Sequence, residues 1–182
     1  MIIASVIAVA VLIAAALAYA ASKPDTFTIR RSAVIAAPPE HIFPLIGDLR
    51  AQSAWSPFEK DPAMKRTYSG AARGTGAVYA WDGNRQVGSG SIAITAATPP
   101  SKVTLALDMV RPFKAHNTVE FTLDRTPAGT EVTWVMRGAQ PFMAKVMGLF
   151  MNCDKMVGGE FEQGLANLKA LAETQPVAIA AE

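Results

Sequence analysis

"WDGNRQVGSGSIAI", residues 81–94, supports two readings that lead to different folds. Gly88, Ser89 and Gly90 are close enough together to cradle a phosphate, which would put a nucleotide on the domain. A phosphate cradle follows a strand and opens a helix, so that free backbone N–H groups face the anion. Here "SIAITAA" follows Gly90, and its period-two alternation is that of a strand. Asp82-Gly83-Asn84 has the chemistry of a hairpin tip, with positive-φ positions for a tight turn. Gly88 and Gly90 then share a strand face with Ile92 and Ile94, where missing side chains bend the strand or leave room for a helix or ligand. The nucleotide reading is set aside.

The same alternation extends in both directions. It predicts strands at 65–70, 75–82, 87–97, 102–110, 114–125 and 129–138, joined at Pro99-Pro100, Arg111-Pro112 and Pro127-Ala128-Gly129. Val103, Leu105, Leu107 and Met109 fall on one face, as do Asn117, Val119, Phe121 and Leu123, then Val132, Trp134 and Met136. Upstream, "TFTIRRSAVIAA" reads as a further strand. Pro38-Pro39 opens a helix kept short by Pro44, with Ile42, Phe43, Leu45 and Ile46 as its apolar face. "RAQSAWSPFEKDP" is a second short helix or turn. Near the end, Phe161, Leu165, Leu168 and Ala172 recur at helical spacing. This helix, or an earlier turn of it, starts near Pro141, and Gly158 and Gly159 interrupt it. The fold class is α+β: a curved antiparallel sheet around one long terminal helix, which buries both apolar faces.

Composition narrows the function. Apolar residues make up 51% and charged ones 18%, enough for a packed core. The net charge is +2 and no Lys/Arg run exceeds a pair, so no nucleic-acid partner is expected. One cysteine, Cys153, excludes an internal disulfide and an all-cysteine metal site. "MIIASVIAVAVLIAAALAYA" has no charged side chain, and twenty helical residues rise about 30 Å, the thickness of a hydrocarbon core. Residues 1–22 therefore read as a transmembrane anchor, in contact with the membrane over 2–21. The alternative is a signal peptide cleaved after Ala18-Tyr19-Ala20, although the basic start of such a peptide is missing. Lys23, Arg30 and Arg31 follow, which by the positive-inside bias places the domain in the cytoplasm. Residues 23–25 are a linker, 26–174 the domain and 175–182 a flexible tail.

Three blocks, "IAAPPEHIFPLIGDLRAQSAWSPF", "GTGAVYAWDGNRQVGSGSI" and "MNCDKMVGGEFEQGLANLKALAE", together resemble the SRPBCC or START-like superfamily, in its polyketide cyclase/dehydrase-like bacterial branch. The resemblance covers about residues 26–173. It implies a helix-grip fold, in which seven strands clasp a C-terminal helix around a deep apolar cavity. It also implies a lipid, polyketide or other hydrophobic ligand. The superfamily has no universal catalytic set, so no catalytic residue carries over.

The residues themselves favour binding over catalysis. His41 and His116 are the only histidines and lie in no ligand-spaced cluster, so neither a metal nor a cofactor is expected. Cys153 has no histidine near it in sequence to act as base. Glu120 and Glu131 share the outer parity of adjacent strands with Lys114 and Arg137, a pattern of cross-strand ion pairs; Asp108 also lies in the sheet region. A cyclase or dehydratase acting on a polyketide-type substrate would need an inward acid or base, with Asp82, Glu120 or His116 as candidates. The expected ligand-binding wall is aromatic and methionine-rich. Trp55, Trp81, Met109, Phe121, Trp134 and Met136 come from the sheet side. Phe142, Met147, Phe150 and Met151 come from the segment before the terminal helix. Asn117, the one polar member of an apolar face, is placed to bond a ligand carbonyl or hydroxyl. A third reading, a module whose function is protein contact, predicts a broad exposed apolar patch instead of a pocket.

Overall fold

The computed structural model describes residues 2–174, without the side chains of Ile2 and Ala4. The expected tail at 175–182 lies outside the described residues. Helix α1 (Ile2–Ala21) is followed by β1 (Thr26–Ile35), α2 (Pro39–Gly47) and a single 3-10 turn at Ala51–Ala54. Six strands follow: β2 (Lys65–Gly70), β3 (Ala77–Asp82), β4 (Ser89–Thr98), β5 (Lys102–Arg111), β6 (Ala115–Thr126) and β7 (Gly129–Ala139). The chain then forms α3 (Phe142–Met147) and α4 (Cys153–Thr174). The strands make one antiparallel sheet in the order β1-β7-β6-β5-β4-β3-β2, so β1 returns to pair with β7.

Register lines up the concave face in rows, because directly paired residues share a face. Arg31, Trp134, Phe121 and Val103 form one row. Ile29, Met136, Val119, Leu105 and Ile94 form the next. Phe27, Gly138, Asn117, Leu107, Ile92, Tyr79 and Tyr68 form a third, toward one end of the sheet.

Helix α4 closes over the first rows. Phe161 stacks on Trp134 with ring centroids 4.1 Å apart and planes 6° apart. Phe121 and Trp55 meet Trp134 at 4.8 and 5.7 Å. The Trp55 indole donates to Leu45 O at 2.9 Å, tying the segment after α2 to this cluster. Gly164 lets the helix approach this closely. A Cβ there would sit 2.8 Å from Trp134 Cζ3 and 2.9 Å from Pro57 Cδ.

The glycines expected to interrupt α4 do not break it. A side chain at Gly158 would collide with the Arg31 guanidinium, which reaches Asp154 at 3.0 Å and Glu162 at 2.7 Å. The hydrogen bonds that Arg31 donates to these carboxylates raise its pKa further. Gly159, by contrast, faces open space. Substitutions at two glycines of one helix should therefore have opposite signs. Gly159→Ala stabilises by up to ~1 kcal/mol through helix propensity, whereas Gly164→Val destabilises by about 1–3 kcal/mol through overpacking, both read from urea unfolding midpoints.

Four expectations are corrected. Of the two readings at Pro141, the earlier turn holds as α3, and the terminal helix itself does not run from there, because the chain breaks at 148–152. Asp82, Gly83 and Asn84 have no positive φ, and the left-handed residue of that loop is Gly88, at φ +66°. The loop is held instead by Asn84 Oδ1, which accepts the N–H groups of Gln86 and Val87 at 2.8 and 3.3 Å. The space at Gly90 is taken by the protein itself, since a Cβ there would lie 2.9 Å from the Trp81 ring.

The fourth correction concerns α1. The helix is present, and its large apolar side chains are 40–76% exposed, from Leu17 to Ile3. Among the described residues, however, no helix is long and apolar enough to cross a membrane. The expected transmembrane crossing is therefore not supported. At its C-terminal end α1 packs beside α3, and Ala20 is fully buried there. Lys145 of α3, only 6% exposed, reaches Asp25 at 2.6 Å, and this bond and charge hold the Asp25 carboxyl below the usual carboxylate range.

Candidate functional site

The rows of the concave face differ in how well they are sealed. Val103, Leu105, Val119, Phe121 and Ile94 are at most 3% exposed. In the third row Leu107 and Ile92 are only half-buried, as are Met109 and Trp81 one step further out. A packed core ends here and gives way to an open apolar band.

A polar group stands in that band. Asn117 is 7% exposed, and no hydrogen bond joins its amide to another side chain or backbone group among the described residues. Its register partner, Gly138, has no side chain because one would collide with Asn117 Oδ1. Room is thus made for an amide that the protein does not satisfy. The amide is not among the fully enclosed polar atoms, so it stays accessible to bond a ligand carbonyl or hydroxyl. Two rows inward, the Trp134 indole Nε1 is a fully enclosed donor with no partner.

Tyr79 lies in the same row as Asn117, three strands away or about 14 Å. Its hydroxyl donates to Glu59 Oε1 at 2.9 Å, and Glu59 Oε2 is held by Arg66 at 2.6 Å. Burial first, then the hydrogen bond to Glu59, pushes the Tyr79 phenol well above its ordinary 10.0. Tyr68 stacks on Tyr79 at 5.0 Å and is raised as well, chiefly by burial. The folded pKa exceeds the unfolded one, so this contribution to stability is fully present below pH 10 and is lost as pH rises through the folded value. In an alkaline titration, the phenolate absorbance of Tyr79 should appear together with unfolding above pH 10, and Tyr79→Phe should remove that step. A cavity of about 240 Å³ lies beyond Tyr68, lined by Leu49, Arg50, Ala77 and the strand-end residues 69–72. It sits at the β2 edge, and the interface between sheet and α4, where the deep cavity was expected, is filled by aromatic rings.

The expected wall therefore divides. Trp55, Phe121, Trp134 and Met136 are core residues, 2–8% exposed. Trp81, Met109 and Asn117 border the open band. Phe142, Met147, Phe150 and Met151 are 42–84% exposed and line no interior: α3 buries Lys145 in place of Phe142 and Met147, and Phe150 and Met151 lie in the break at 148–152. The residues proposed for acid–base chemistry are also dispersed. Asp82 pairs with Arg111, and His116 with Asp108 at 2.5 Å, all at the surface. Glu120 pairs with Lys102 at 2.7 Å, not with Lys114 or Arg137, because β5 supplies its neighbour. Glu131 opposes Asp124 on the outer face. His41 and Cys153 join no cluster, and no group of metal-ligating residues occurs among the described residues. Sequence reasoning missed Leu107 and Ile92 as site residues, although their parity was read correctly. It also missed Glu59, which lies in an irregular segment and leaves no periodic signal.

Seven antiparallel strands gripping a C-terminal helix, with two short helical segments after the first strand, define a helix-grip domain. Residues 26–173 match the family described as polyketide cyclase / dehydrase and lipid transport, and the chain belongs to that family. No curated protein matches the chain in sequence. Among solved structures it resembles protein CV1439 from Chromobacterium violaceum, with 18% identity and TM-score 0.59, over 84% of this chain and 100% of that one. Protein MLL2253 from Mesorhizobium loti is similar at 18% identity and TM-score 0.60, over 82% and 99%. The di-domain ARO/CYC BexL from the BE-7585A biosynthetic pathway matches at 15% identity and TM-score 0.63, over 86% of this chain and 53% of that one. At these identities the likeness speaks for the fold.

Proposed function

We propose that this domain binds a hydrophobic small molecule or lipid along the open band of its concave face, attached to a membrane through α1. Leu107, Ile92, Trp81 and Met109 supply apolar contact, and Asn117 supplies the polar one. The observation that carries this reading is the unsatisfied Asn117 amide, set opposite a glycine in a half-open apolar row. A few placed polar groups in an apolar recess are what orient such a ligand. Family membership supports the same ligand class. Attachment is supported by α1, whose apolar side chains are exposed along its length and need a cover other than water.

Binding is preferred over cyclase or dehydratase chemistry because Asp82 and Glu120 are ion-paired and His116 is hydrogen-bonded to Asp108, all outside the concave face. The Tyr79 proton is committed to Glu59. Titration of the detergent-solubilised protein with phenylnaphthylamine tests the reading. Saturable enhancement with one site per chain is expected, and a linear, unsaturable response would contradict it.

A further inference from the structure

We infer that the open end of the grip is itself a membrane-docking surface, so that the ligand-binding band faces lipid and not water. This rests on the attachment through α1 and extends it. Outside α1, the exposed large hydrophobic residues are sharply segregated: all but Val34 and Phe58 lie at one end of the domain. Val110 and Phe113 form the β5–β6 tip, immediately beyond the Asn117 row, and are 55% and 69% exposed. Met143 of α3 is 67% exposed, Phe150 84% and Met156 of α4 57%. Helix α4 passes over Trp134 at Phe161, which puts its N-terminus with Met156 at this same end.

Continuity with α1 decides the occupant. Thr26 pairs with Ala139, so the apolar helix enters the domain where β7 leads into α3, and α1 packs beside α3. A bilayer holding α1 meets these side chains first. Charge agrees with this assignment. Arg85, Lys114 and Lys155 are exposed around the rim and form no ion pair among the described residues. Of the acidic side chains nearby, Asp25 pairs with Lys145 and Asp82 with Arg111, Asp154 shares Arg31 with Glu162, Asp108 bonds His116, and Asp61 accepts the Asn84 N–H. The three exposed cations offer contacts to anionic headgroups.

The test uses the full chain in vesicles of mixed phosphatidylcholine and phosphatidylglycerol. An environment-sensitive fluorophore is placed on the native, exposed Cys153, or on Phe113→Cys or Leu12→Cys in a Cys153→Ser background. Docking predicts blue-shifted emission at 113 and 153, lost on adding spin-labelled lipid and insensitive to aqueous iodide. Leu12 should behave likewise. Quenching by lipid at 12 but by iodide at 113 and 153 leaves the attachment standing and overturns the docking surface. Iodide quenching at all three overturns both.

Discussion

Replacing Trp134 by alanine lowers stability by about 3–5 kcal/mol, enough to unfold a domain of ordinary stability at moderate temperature. The reason is its position. The ring is stacked on Phe161 from α4, tilted against Phe121 from β6 and met edge-on by Trp55 from the segment after α2. Removing it detaches three elements from one another, with Gly164 and Pro57 left facing a void. Trp134→Phe should cost much less, under about 1.5 kcal/mol, because most of the stack survives and a buried donor without a partner is removed. Urea unfolding followed by far-UV circular dichroism measures both. Equal losses for the two variants would show that the indole is satisfied in solution and that the stack matters less than the geometry says.

The second large effect is on binding. Leu107→Trp fills the centre of the open row between Asn117 and Ile92 and should weaken phenylnaphthylamine at least about tenfold, or ~1.4 kcal/mol. Asn117→Leu separates the polar contact from the apolar one. Affinity for prodan, whose ketone can accept the amide N–H, should fall about tenfold, while phenylnaphthylamine, with no carbonyl, should be held as before. The contrast matters more than either number. Parallel losses for both probes would mean that Asn117 shapes the recess without bonding its occupant. Because Leu107 is only half-buried, its substitution should leave the unfolding midpoint nearly unchanged, so lost binding is not lost folding.

The sheet was highly legible because alternation is a local signal and the turn residues are chemically distinct. Each strand between 65 and 139 was located within a few residues, and the inward parity of Asn117, Phe121, Trp134 and Met136 matches the register. Helix α4 was legible from its Phe161-Leu165-Leu168 stripe. The break at 148–152 was not, since "MGLFMN" carries no proline and its apolar residues mimic a continuing helix. That misreading placed Phe150 and Met151 inside. The filled interior was also hidden. An aromatic list does not say whether rings line a space or occupy it, and here Phe161 and Trp134 occupy it face to face. Gly164, the residue that lets them meet, reads in sequence only as a weak point of a helix. Glu59 and Tyr79 become partners through a contact between an irregular segment and β3, which no periodicity announces.

The most direct measurement is mass spectrometry of an organic extract of the detergent-purified full chain, compared with Leu107→Trp purified in parallel. The account predicts one or a few hydrophobic compounds carrying a carbonyl or hydroxyl, near one per wild-type chain and depleted in the variant. Equal amounts of the same compounds in both preparations, or none in either, would contradict it.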